Sequence, residues 1–171
     1  MKTIIRHGLS AAVITLMAQT AFAQETNRVA ANTDWSGFVG ADPKECWAVS
    51  APKETVNTKD GQAVAVRRGD IRLFVTFRPG KAGEVSFMGG YPFAPDSTVD
   101  MNIGGKSFTL FTDGEGAWAG SADDDAKIIA ALKAGSEATL SGGSSRGTKT
   151  KDTFSLLGFT ATIDEAGKQC K

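Results

Sequence analysis

From Ile71 to Arg78 the side chains alternate. Ile71, Leu73, Val75 and Phe77 fall on one side, and Arg72, Phe74, Thr76 and Arg78 on the other. A period of two marks a strand with one buried face, and Pro79-Gly80 ends it. "GEVSFMGG" repeats the pattern with Val85 and Phe87. "STVDMNIGGKSFTLFT" alternates Val99, Met101 and Ile103 with Asp100 and Asn102. It then passes Gly104-Gly105 and returns through Phe108 and Leu110, with Phe111 on the opposite face. Two glycines tolerate the positive φ angles of a primed two-residue turn, so this segment predicts a hairpin.

"DWSGFVG", with Trp35, and "ECWAVSAPKE" predict strands before Asp60-Gly61, a turn signal. "SEATLSG" predicts another after the single clear helix. That helix is "SADDDAKIIAALKAG". Ser121 stands at the N-cap and Asp123, Asp124 and Asp125 occupy the first turn, where the helix dipole favours negative charge. Ile128, Ile129 and Leu132 form the apolar stripe, and Gly135 is the stop signal. Three successive residues on a helix point in different directions, so the Asp triplet reads as capping rather than as a metal site. Near the end, Phe159, Ile163, Ala166 and Cys170 recur at helical spacing. Short strands parted by Gly, Pro and Asp turns, with one inserted helix and a short C-terminal one, predict a mainly β sandwich.

The beginning of the chain obeys other rules. Lys2, Arg6 and His7 precede an apolar run from Leu9 to about Ala18, and Ala21-Phe22-Ala23 comes after it. This is the three-part pattern of a secretory signal, and the run is too short for the roughly 20 residues that span a bilayer. The expected layout is a cleaved signal at 1–23, a flexible leader at 24–33 and one β-sandwich domain at 34–171. Cleavage after Ala23 places the protein in the periplasm or outside the cell, without a stable membrane anchor. Losing Lys2 and Arg6 from 19 basic residues against 19 acidic ones gives a net charge of −2. That balance carries no footprint for nucleic acid.

Export changes the reading of the two cysteines, Cys46 and Cys170. In an oxidising compartment a lone pair is a disulfide candidate, and neither a zinc ligand set nor a Cys-x-x-Cys redox motif is present. The bridge would staple the two ends of the domain.

Catalytic chemistry has few carriers. The one histidine, His7, lies in the signal, so Ser-His-Asp and Cys-His arrangements are excluded from the mature chain, as are histidine metal ligands. No cofactor or metal is expected. A hydrolase built on carboxylates, with Asp113 and Glu115 as one pair, or on a Ser-Lys pair stays formally open. In "TDGEGAW" the two carboxylates flank Gly114, which reads as a turn. "GGSSRGTKT" imitates a phosphate loop, with Gly142 and Gly147 at the right separation, but Thr148 displaces Lys149 by one position. The segment from Thr148 onward alternates, with Thr148, Thr150, Asp152, Phe154 and Leu156 on one side. That predicts a strand where a phosphate loop requires a helix N-terminus.

Candidate binding residues are therefore the aromatics Tyr91, Phe93 and Trp118 in turn-rich segments and the basic group Arg146, Lys149 and Lys151. The expected partner is another envelope or extracellular protein.

"DWSGFVGADPKECWAVSAPKET", "RRGDIRLFVTFRPG", "GEVSFMGGYPF", "FTLFTDGEGAW" and "SRGTKTKDTFSLLGFTATI" together resemble the invasion-associated locus B family of exported bacterial proteins. The resemblance runs from about Trp35 to Cys170. It implies an immunoglobulin-like β sandwich and a periplasmic or envelope-associated protein. The lack of catalytic groups makes a non-enzymatic binding role the expectation, and the family's name suggests host-cell invasion as the alternative. The resemblance transfers no catalytic residue.

Overall fold

The structure is a computed structural model that describes residues 27–171; the expected signal segment and the start of the leader lie outside the described residues. The first strands are β1 (Arg28–Asn32), β2 (Trp35–Ala41), β3 (Lys44–Ser50), β4 (Glu54–Lys59) and β5 (Gln62–Ala63). After them come β6 (Arg72–Phe77), β7 (Glu84–Met88), β8 (Thr98–Ile103), β9 (Lys106–Asp113) and β10 (Gly116–Ala119). Helix α1 (Ala122–Ala134), strands β11 (Glu137–Gly143) and β12 (Lys149–Ser155), and helix α2 (Phe159–Gln169) complete the chain.

Every pairing is antiparallel, and the strands form one ladder in the order β1-β2-β3-β6-β7-β10-β9-β8-β11-β12-β4-β5. The ladder folds over on itself. Phe87 on β7 meets Phe154 on β12 edge to face, with ring centroids 6.2 Å apart, and the Trp35 indole N–H on β2 donates to the Ser155 carbonyl on β12 at 2.9 Å. The product is the expected β-sandwich-like fold.

Alternation decides which side chains go inside. Leu73 and Val75 on β6, and Val99 and Met101 on β8, are fully buried, while Phe111 on β9 is 58% exposed. The turns obey the glycine signals. Gly104 and Gly105 have φ of 56° and 82°, and Asp60 and Gly61 have 52° and 79°.

Both helices close onto the same core. In α1 the Ser121 hydroxyl accepts from the Asp124 N–H at 3.2 Å and donates back to the Asp124 carboxylate at 2.8 Å, which fixes the first turn. Ile128 and Leu132 are buried. Gly135 ends α1 with φ −90°, so it is not a left-handed cap. Its need for glycine is spatial, since a Cβ would sit 2.7 Å from Ile103 Cγ2. Helix α2 buries Phe159, Thr162, Ile163 and Ala166. The Phe159 ring meets Trp35 at 4.8 Å.

Three features depart from the sequence reading. Residues 28–32, expected at the end of a flexible leader, form edge strand β1. Their side chains are mostly exposed, so no apolar alternation announces them, and the main chain alone pairs them with β2 (Ala31 with Ser36, Asn32 with Trp35). The turn-rich segment around Trp118 is strand β10. Asp125, read from the sequence with its neighbours as part of the capping run, is instead buried, and its Oδ1 accepts from the Val85 N–H of β7 at 2.7 Å.

The disulfide joins Cys46 on β3 to Cys170 at the end of α2. With Ala166 it forms a small buried cluster against Val39 and Phe77. Among the described residues no helix is long and apolar enough to cross a membrane.

Candidate functional site

Asp152 is the odd member of its strand. It lies on the inward face of β12, beside Thr150 and Phe154, and its side chain is 0% exposed. A carboxylate in that position requires a partner, and Arg68 supplies it from the segment leading into β6. Arg68 Nη1 and Nη2 reach the two carboxylate oxygens at 2.7 and 2.6 Å. Nε and Nη2 also donate to the Gly89 carbonyl, at 3.0 and 2.6 Å, and Nη1 reaches Asn57 Oδ1 at 3.4 Å. The Thr55 hydroxyl donates to Asp152 at 2.9 Å. All five guanidinium N–H groups are engaged, and the pair bolts one layer to the other.

Above this bolt lies Tyr91. Its ring sits 4.9 Å from the Arg68 guanidinium carbon, a cation–π contact, and its hydroxyl is 2.6 Å from the Thr150 hydroxyl. Burial raises the Tyr91 pKa, opposed by the Thr150 hydrogen bond and the Arg68 charge. The phenol therefore stays protonated at neutral pH. Phe93 supports it edge to face at 4.9 Å from within the core.

The outer side of Tyr91 faces a pocket of about 420 Å³, walled by Val66, Arg67, Pro92, Glu115, Arg146 and Thr148 among others. Arg67 and Arg146 are exposed there. Neither makes an ion pair among the described residues.

The Arg146 wall is the glycine-bearing loop, and its hydrogen bonding settles the phosphate question. Ser144 N–H donates to Thr148 O, Ser145 N–H to Pro92 O, and Gly147 N–H to Ser144 O. Arg146 and Thr148 N–H both donate to the Ser144 hydroxyl, at 3.3 and 3.1 Å. Five consecutive amides are spent inside the protein, so none remains for a phosphate. The loop is a hairpin turn, with Gly147 at φ 80°, that holds Arg146 in place.

The family model described as "Invasion associated locus B (IalB) protein" matches residues 35–167. The chain belongs to the IalB family. A solved structure with the same fold is the crystal structure of invasion associated protein B from Bartonella henselae. It shares 15% identity, with a TM-score of 0.54, over 79% of this chain and 92% of that one. No curated protein matches the sequence.

In this IalB-family chain the six residues singled out from the sequence divide. Tyr91 and Arg146 meet at the pocket, with Phe93 buried beneath them. Lys149 and Lys151 project from the outer face of β12 toward Val56, Asp100 and Ser141, across a separate shallow surface. Trp118 lies elsewhere, on the outer face of β10, where its ring covers Gly116. Asp113 and Glu115 are exposed at the β9–β10 turn, where Gly114 has φ 57°. Motif and periodicity alone do not single out Arg67, Arg68 or Asp152. A signal for the last is present, because an aspartate on the apolar face of a strand demands a buried cation.

Proposed function

We propose that the protein is exported and works in the cell envelope as a non-enzymatic binding protein, and that the Arg67–Tyr91–Arg146 pocket receives a carboxylate-bearing segment of a protein partner. Two unpaired guanidinium groups at the mouth of a preformed, partly apolar pocket carry this reading. Arginine forks fit carboxylates in bidentate geometry, and Tyr91 and Pro92 offer a firm surface to the rest of the segment. Two of the polar groups facing the pocket, Arg68 and Tyr91, suit binding rather than proton transfer. Arg68 is saturated, and Tyr91 holds its proton. The Cys46–Cys170 bridge supports export, because such bonds persist in oxidising compartments.

Photo-crosslinking in the producing cell tests the reading. A crosslinker at Ser145, on the pocket rim, should capture one defined partner through an Asp/Glu-bearing or C-terminal peptide. The same group at Lys106, at the β8–β9 turn, should not. Arg67→Glu with Arg146→Glu should abolish the capture while leaving the fold intact by circular dichroism. Equal capture by the charge-reversed variant would refute the proposal.

A further inference from the structure

The two helices leave a groove between them that the pocket reading does not use. Its floor is Phe77, at the end of β6, with Ile129 of α1 and Ile163 of α2 beside it. Gly83, Ala126, Ala130 and Gly167 keep the walls low, and the space amounts to about 760 Å³. Gly83 is fitted to this floor. A Cβ there would come within 2.9 Å of the Phe77 ring and 3.0 Å of Ile129 Cδ1.

The rim has a different character. Lys81, Lys133 and Lys168 line the groove, against Asp164 alone among acidic side chains. Lys81 makes no ion pair among the described residues, and Lys133 and Lys168 hold only solvent-accessible partners, Asp164 at 2.7 Å and Glu165 at 3.4 Å. Surface pairs of this kind are weak and exchange readily. An apolar trough with a basic collar is complementary to a molecule with an apolar stem and an anionic end.

We infer that this groove binds a free, single-chain anionic amphiphile of the fatty-acid type, its chain along Phe77 and Ile129, above the buried Ile163, and its charged head among the lysines. A flat bilayer surface fits less well. The apolar groups are recessed while the lysines project, so a membrane would meet the collar and miss the floor.

Titration calorimetry on the exported, disulfide-bonded protein tests this with dodecanoate below its micelle concentration. Dodecan-1-ol serves as the uncharged counterpart and phosphatidylglycerol vesicles as the bilayer. Dodecanoate should bind, and should bind about 15-fold more tightly than decanoate, as burial of two further methylenes requires. Ala130→Phe, at an exposed helix position, should fill the trough and weaken binding at least tenfold. Ala126→Leu provides a second, smaller filling. Lys81→Glu should weaken dodecanoate but not dodecan-1-ol, and should flatten the salt dependence. The inference fails if dodecan-1-ol binds as well as dodecanoate, if both filled variants keep full affinity with unchanged thermal unfolding, or if the protein floats with vesicles while ignoring the free chain. The pocket's Arg67→Glu/Arg146→Glu variant should bind dodecanoate normally, which separates this groove from the partner site.

Discussion

The Arg68 guanidinium and the Asp152 carboxylate meet through two hydrogen bonds, of 2.6 and 2.7 Å, with side chains 5% and 0% exposed. Arg68 lies in the approach to β6 and Asp152 in the middle of β12, so the pair joins the layers where the inward faces would otherwise be apolar. Such a pair adds little over a well-packed apolar substitute, but breaking it strands a charge. Arg68→Met should therefore cost about 3–5 kcal/mol. Arg68→Met with Asp152→Leu should recover part of that loss. Urea unfolding of the single and double variants measures the coupling; strictly additive losses would contradict it.

Asp125 gives the protein a pH signature. Burial raises its pKa, and the hydrogen bond from the Val85 N–H opposes the shift without cancelling it. The folded state therefore holds this proton more firmly than the unfolded chain does. The stability it contributes is complete below the ordinary aspartate value, near 4, and is lost as pH rises through the folded value. Asp125→Asn keeps an oxygen for Val85 and removes the charge. It should be at least as stable as the parent at pH 7, with the advantage shrinking toward pH 4. Unfolding midpoints across that range decide it, and a clear loss at pH 7 would contradict the assignment.

The disulfide spans 124 positions in sequence. In the chain-entropy view, closing a loop of that size in the unfolded state is worth about 5 kcal/mol. Cys46→Ala with Cys170→Ala should lower stability by an amount of that order. Hydrogen exchange should rise first in α2, whose packing on β1, β2 and β3 would then rest on non-covalent contacts alone. Peptide mapping of exported protein without reductant should recover Cys46 linked to Cys170.

Gly158 precedes α2 with φ +89°, and a Cβ there would run into the Asn32 carbonyl oxygen of β1. Gly158→Ala meets both penalties. The left-handed conformation alone costs a non-glycine residue on the order of 1–3 kcal/mol. The variant should lose at least that much in chemical unfolding, and faster proteolysis between β1 and β2 should accompany the loss.

Local periodicity makes much of this molecule readable. The alternation of Leu73, Val75, Val85, Phe87, Val99 and Met101, the glycine turns at 104–105, the Ser121 cap and the helical spacing of Phe159, Ile163 and Ala166 each report a one-sided environment. That environment is a property of the segment itself. β1 is not readable because an edge strand held by main-chain pairing needs no apolar pattern. The pocket is only half legible. Tyr91 and Arg146 draw attention as an aromatic and a cation in turns, but Arg67 and Arg68 are neighbours in sequence with opposite fates. One reaches solvent, and the other is drawn inward by a carboxylate 84 positions away. Only the folding-over of the sheet makes that distinction. The burial of Asp125 escapes the sequence for a similar reason: the helix dipole explains an acidic first turn, but the Val85 amide that claims one of its members belongs to another strand.

The bridge from Cys170 to Cys46 also sets how the chain answers a pull. A helix at the end of a domain ordinarily peels away turn by turn when its terminus is drawn. Here tension on Lys171 passes after one residue through sulfur to β3, which is hydrogen-bonded to β2 on one side and β6 on the other. Traction at that end must therefore part interior ladders at once, and a handle or neighbour joined there would grip the sandwich by an interior strand.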